Sequence, residues 1–124
     1  MYRSKNIELQ ILLSIFFIFT TIISIILLYN EDLYIKYKQF VLDPKNAYII
    51  ASINRIVILI ILLLFLYANY VDKNIDIIEN KDLKADNLQI IASILSIISG
   101  IIVLYVTIEY FSTNINSSLE NPVN

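Results

Sequence analysis

Polar and apolar positions along this chain gather into long blocks. Leu9–Asn30 holds no charged residue over 22 positions, Ile56–Val71 none over 16, and Asn87–Ile108 none over 22. About 20 helical residues cross a bilayer core about 30 Å thick. The blocks are at or near that length, and predict three transmembrane helices at about 7–29, 47–70 and 88–111. The expected fold class is all-α, an integral membrane three-helix bundle of antiparallel up-down-up topology. Residues 1–111 form its single domain. Residues 112–124, rich in Ser and Asn with Pro122, form a disordered polar tail.

The polar segments supply the boundaries. Arg3 and Lys5 lead into the first block, which is longer than a signal-peptide core of about 7–15 residues and precedes no small-residue cleavage site, so it stays as a helix. Glu31–Asn46, with three acidic residues and three lysines, reads as a loop. Asp43-Pro44 then starts helix 2: Asp accepts from free backbone N–H groups, and Pro is pre-set for the first helical position. Val71, Ile75 and Ile78 recur at i, i+4, i+7 and extend helix 2 as an amphipathic projection. Asp72–Asp86 is an exposed acidic linker. Asp86 and Gln89 form an Asp-x-x-Gln variant of the capping box, starting helix 3 near Leu88.

Composition changes this picture by exclusion. The chain is 58% hydrophobic, and a soluble protein of 124 residues has too small an interior to hide three such blocks. A net charge of −2 with scattered basic residues argues against nucleic acid as a partner. Without Cys or His there is no thiol chemistry and no common ligand for zinc, copper or haem. A single glycine rules out glycine-rich phosphate loops. Asp72-Lys-Asn-Ile-Asp76 begins like a calcium loop, but Ile77 replaces the required glycine and Leu83 the final Glu. No cofactor and no metal site are expected. Nor is an enzyme, since Ser14, Ser52 and Ser93 have no evident base within the spans.

Basic residues give a direction. Arg3, Lys5, Lys73, Lys81 and Lys84 share one side, against Lys36, Lys38 and Lys45 on the other, with Arg55 a further candidate. The positive-inside rule favours the N-terminus in and the C-terminus out. Tyr29, Tyr48, Tyr105 and Tyr110 mark one interface, Tyr67 and Tyr70 the other.

Two groups of residues stand out. Arg55 lies about eight residues inside span 2, roughly 12 Å deep at 1.5 Å per residue. It either snorkels to the headgroups or forms an intramembrane ion pair with Glu109, which three-span topology puts on the same side; Glu31 and Asp32 are rival partners. Ala92, Ser96 and Gly100 form a small-xxx-small ladder on helix 3, with Ser93 and Ser99 alongside. Helix 1 carries Gln10, Ser14, Thr21 and Ser24 along one side. Ala92, Ser96, Gly100, Ser14, Thr21 and Ser24 form the candidate helix-packing face, and two facing polar stripes would alternatively line a narrow pore. Leu-Gln-Ile at 9–11 and 88–90, and Ala-Ser-Ile at 51–53 and 92–94, are either echoes of an internal repeat or coincidence in an Ile/Leu-rich background.

Leu-Gln-Ile early in helices 1 and 3, Asn54-Arg55 in helix 2 and Tyr67-Ala-Asn-Tyr70 at its end give the chain a resemblance. It resembles short uncharacterised three-span membrane proteins of low-GC Gram-positive bacteria. The resemblance implies a location in the bacterial cytoplasmic membrane and supplies no activity or site residue. The expected role is that of a non-enzymatic accessory or immunity-type protein acting through helix–helix association. Its partners would be the lipid bilayer and a homo-oligomer or larger membrane complex. The alternative is a holin-like pore former or a small channel or transporter subunit.

Overall fold

The computed structural model describes the backbone of residues 2–120 and the side chains of residues 3–109. Three helices account for nearly all of it: α1 (Tyr2–Tyr37), α2 (Pro44–Ile78) and α3 (Lys84–Glu120). The described residues contain no β-strand. The all-α three-helix class therefore holds.

α1 outruns its predicted span in both directions. No Gly or Pro interrupts residues 2–37, and Lys36 pairs with Asp32 one turn back at 3.2 Å. The connection shrinks from the predicted Glu31–Asn46 to residues 38–43, entered through Lys38 at φ 57°. α2 begins at Pro44 as the sequence indicates. Asp43 caps it, accepting from the Asn46 N–H at 2.7 Å. It runs on to Ile78 and ends before Asn80 at φ 56°.

α3 starts earlier than the capping-box reading placed it, at Lys84. Asp82 accepts from the Lys84 N–H at 3.3 Å, and Asp86 sits in the first turn, buried. α3 also continues past Phe111 to Glu120, two residues before Pro122, the next residue that resists helical backbone. Of the predicted tail, residues 121–124 lie outside the described residues, as do the side chains from Tyr110 onward.

α2 is the middle element. It packs against α1 on one side and α3 on the other, while among the described residues α1 and α3 do not pack on each other. The arrangement is inside-out by soluble standards. Within the most apolar stretch of each helix, 11%, 17% and 6% of residues are buried, in chain order. Rows of Ile, Leu and Phe face outward, as hydrocarbon surroundings require. All three helices are long and apolar enough to cross a membrane, and this is a small multi-pass membrane protein.

Candidate functional site

The α1/α2 seam repeats every seven residues. Asn6, Leu13 and Thr20 are buried on α1, and Ala47, Asn54, Ile61 and Ala68 on α2. A seven-residue repeat is the signature of two helices wound in a left-handed sense. Small residues on α2 let the backbones approach, and buried amides fix the register. Asn6 Nδ2 donates to the Ala68 carbonyl at 3.0 Å and to Asp72 Oδ1 at 2.7 Å. Asn54 Nδ2 donates to the Thr20 carbonyl at 3.1 Å and to Ser24 Oγ at 3.0 Å. At the hairpin, Asn30 Oδ1 accepts from the N–H groups of Val41 and Leu42, and its Nδ2 donates to the Leu42 carbonyl.

The α2/α3 seam is built differently. Asp86 is buried, and Ile90, Ser93, Ile97, Gly100, Leu104 and Thr107 are half-buried, alternating by four and three along one face of α3. Gly100 allows close approach. A Cβ there would lie 3.1 Å from Leu62 Cδ1 and 3.3 Å from Leu59 Cδ1. The direct polar bond within the apolar part is Asn69 Nδ2 to Ser93 Oγ, at 2.6 Å.

All three helices contribute to a charged cluster outside the apolar spans. Arg3 binds Asp76 at 2.9 Å and Glu79 at 3.3 Å, while Lys81 binds Glu79 at 2.9 Å. Gln10 Nε2 donates to Asp72 Oδ2 at 3.2 Å. The Arg3 hydrogen bond, then that from Asp86, holds the Asp76 carboxyl below the usual range. Lys81 does the same for Glu79, first by hydrogen bonding. Asp86 is displaced upward, first by its hydrogen bond to Asp76, then by burial and by the charges of Asp76 and Asp72. Its Oδ2 is buried and has no hydrogen-bond partner among the described residues.

Because α1 and α3 stand apart, a slot runs along α2 between them. Its upper part, about 430 Å³, is lined by Phe17, Arg55, Ile58, Leu62, Leu95, Ser96, Ser99, Gly100 and Val103. Its lower part, about 360 Å³, is lined by Gln10, Leu62, Phe65, Asn69, Gln89, Ala92, Ser93 and Ser96. Leu62 and Ser96 belong to both, so the two parts are continuous.

The residues singled out from the sequence scatter over these features. Arg55 and Glu109 are not brought together: among the described residues no ion pair or hydrogen bond holds either one, and Glu109 is exposed. Gly100 faces α2, whereas Ala92 and Ser96 are exposed along the slot. Ser14 and Thr21 are exposed and bond to their own helix at the Gln10 and Phe17 carbonyls. Ser24 is half-buried and receives Asn54. Of these residues Gly100 and Ser24 meet α2, and the α1 and α3 stripes do not form one shared packing face.

From the sequence alone, no interhelical role is assigned to Asn6, Asn30, Asn54, Asn69 or Asp72. The available signal was an amide in an apolar run, with Asn6 and Thr20 two heptads apart and Asn54 seven residues from Ala47 and Ile61. The described residues contain no group of three or more acidic or other metal-ligating side chains able to hold a metal ion. No protein-family model, curated protein or solved structure matches this chain.

Proposed function

We propose that this chain is a non-enzymatic accessory or immunity-type protein of the bacterial cytoplasmic membrane, N-terminus inside and C-terminus outside, working through helix association. The open slot carries this reading. Gln10, Asn69, Gln89, Ser93, Ser96 and Arg55 line a groove within apolar helices. Polar side chains in hydrocarbon ordinarily face a protein interior or enclosed water. Here α1 and α3 leave that groove uncovered, and an associating helix would cover it. Mild-detergent purification from native membranes, with the mass of the particle measured directly, tests this. Association predicts a particle of more than one chain, and a lone chain would refute it.

The polar lining also favours a second reading, the holin-like or channel-forming one, in which several slots enclose water. The chain has no cysteine, so single cysteines at Ser93, Ser96 and Gly100 report without background. Protection from water-soluble thiol reagents at all three supports packing, and labelling supports an aqueous path.

A further inference from the structure

Resting on the association reading, we propose that the slot is covered by a second copy of this chain, whose Glu109 neutralises Arg55, and reciprocally, in a parallel two-fold dimer.

Arg55 is half-buried at membrane depth and unpaired among the described residues, and a charge placed there needs a counter-charge. Among the described residues of its own chain, no acidic side chain pairs with it. Glu109 follows Gly100 by nine residues, which is two and a half turns. Gly100 faces α2, so Glu109 points away from it. On α1, Asn54 sits level with Thr20 and Ser24. Glu31 is seven residues past Ser24, about 10 Å further along the axis, and Asp32 is held by Lys36.

Depth matches between copies. From the Asn69–Ser93 bond, fourteen residues back along α2 is Arg55 and fourteen forward along α3 is Thr107. Glu109 is therefore only about 3 Å beyond the level of Arg55. A two-fold axis along the membrane normal preserves depth. Helical side chains lean toward their own N-termini, which carries Arg55 outward and Glu109 inward, toward a common level. Deeper along α3, Ala92, Ser96 and Ser99 are exposed and admit a close neighbour, and a two-fold interface uses the same patch twice.

The test uses the full chain in phosphatidylcholine liposomes. Ser96→Cys should cross-link between copies, whereas Ile26→Cys should not; Ile26 is exposed and nine residues from Phe17, so it lies on the far side of α1 from the slot. Arg55→Glu and Glu109→Arg should each lower dimer affinity about tenfold or more. Mixing the two variants should restore it, because every contact then again sets an acid against a base. Recovery in the mixture also shows that both variants fold. The proposal is overturned by a monomeric native chain, by equal cross-linking at Ser96→Cys and Ile26→Cys, or by reversals that leave the dimer unchanged. It is also overturned if, in liposomes that also contain phosphatidylglycerol, Arg55→Glu releases bound anionic lipid while dimerisation persists. A monomer in liposomes that purifies from native membranes at fixed stoichiometry with a different protein overturns the second copy and leaves association standing. A monomer that purifies alone overturns both.

Discussion

The two seams of α2 achieve close packing by opposite means. Against α1, the helix presents alanines and a buried asparagine, and Asn6 and Asn54 reach across to backbone carbonyls. Against α3, it presents leucines over a glycine and one half-buried Asn–Ser bond. A buried amide has one register in which its donors are satisfied, and sliding by a turn leaves them in hydrocarbon. A smooth apolar face has several registers of similar energy. The α1/α2 hairpin is therefore defined by hydrogen bonding and the α2/α3 pair by shape, with the Asp86–Asp76 contact adding a polar end to the second.

The sharpest way to break this contrast is to remove an amide from each seam. Asn54→Ala should destabilise the fold in detergent by about 1–2 kcal/mol, and Asn69→Ala by less than about 1 kcal/mol. Denaturant titration followed by circular dichroism measures both, and equal losses would end the distinction. The cluster gives a smaller effect that depends on pH. Asp86 has its carboxyl displaced upward in the folded chain, so its contribution is intact below the unfolded value of about 3.9 and declines as pH rises through the folded one. Asp76 has the opposite sign: its contribution is present above about 3.9 and is lost as pH falls through its lowered value. Asp86→Asn should therefore match the native chain near pH 4 and melt higher at pH 8. A lower melting temperature at pH 8 would show that the ionised carboxylate is the stabilising form. Gly100→Ala should do least, within about 0.5 kcal/mol of zero. The added methyl displaces two flexible leucine ends by tenths of an ångström, while alanine favours helix over glycine by a comparable amount.

Much of the architecture was legible beforehand. Charge-free blocks of 16 to 22 residues have few structural options, and Asp43-Pro44 marks the start of α2 directly. The helix ends were less legible because polar residues were taken as boundaries. With no Gly or Pro to stop it, α1 stays helical through Glu31 and Asp32. Asp86 looked like a cap because Gln89 follows it at capping-box spacing; only the fold shows it turned inward beside Asp76. The seams were hidden for a related reason. In a helix made of Ile and Leu on every side, a seven-residue repeat of contacts leaves almost no trace in hydropathy. What trace there is lies in small and amide residues, and Asn6 and Thr20 were outnumbered by the more conspicuous Gln10, Ser14, Thr21 and Ser24.

That α1 and α3, among the described residues, pack on α2 and not on each other has a consequence for how the protein is made. Each interhelical interface joins consecutive helices, so each can close as soon as its second helix has entered the bilayer. The order of synthesis is then also an order of assembly. The Asn30-closed hairpin comes first, and α3 docks onto a finished surface. A chain interrupted after α2 would keep its first seam, Arg3–Asp76 at the charged end included, and would lack the second, in which Asp86 arrives beside Asp76.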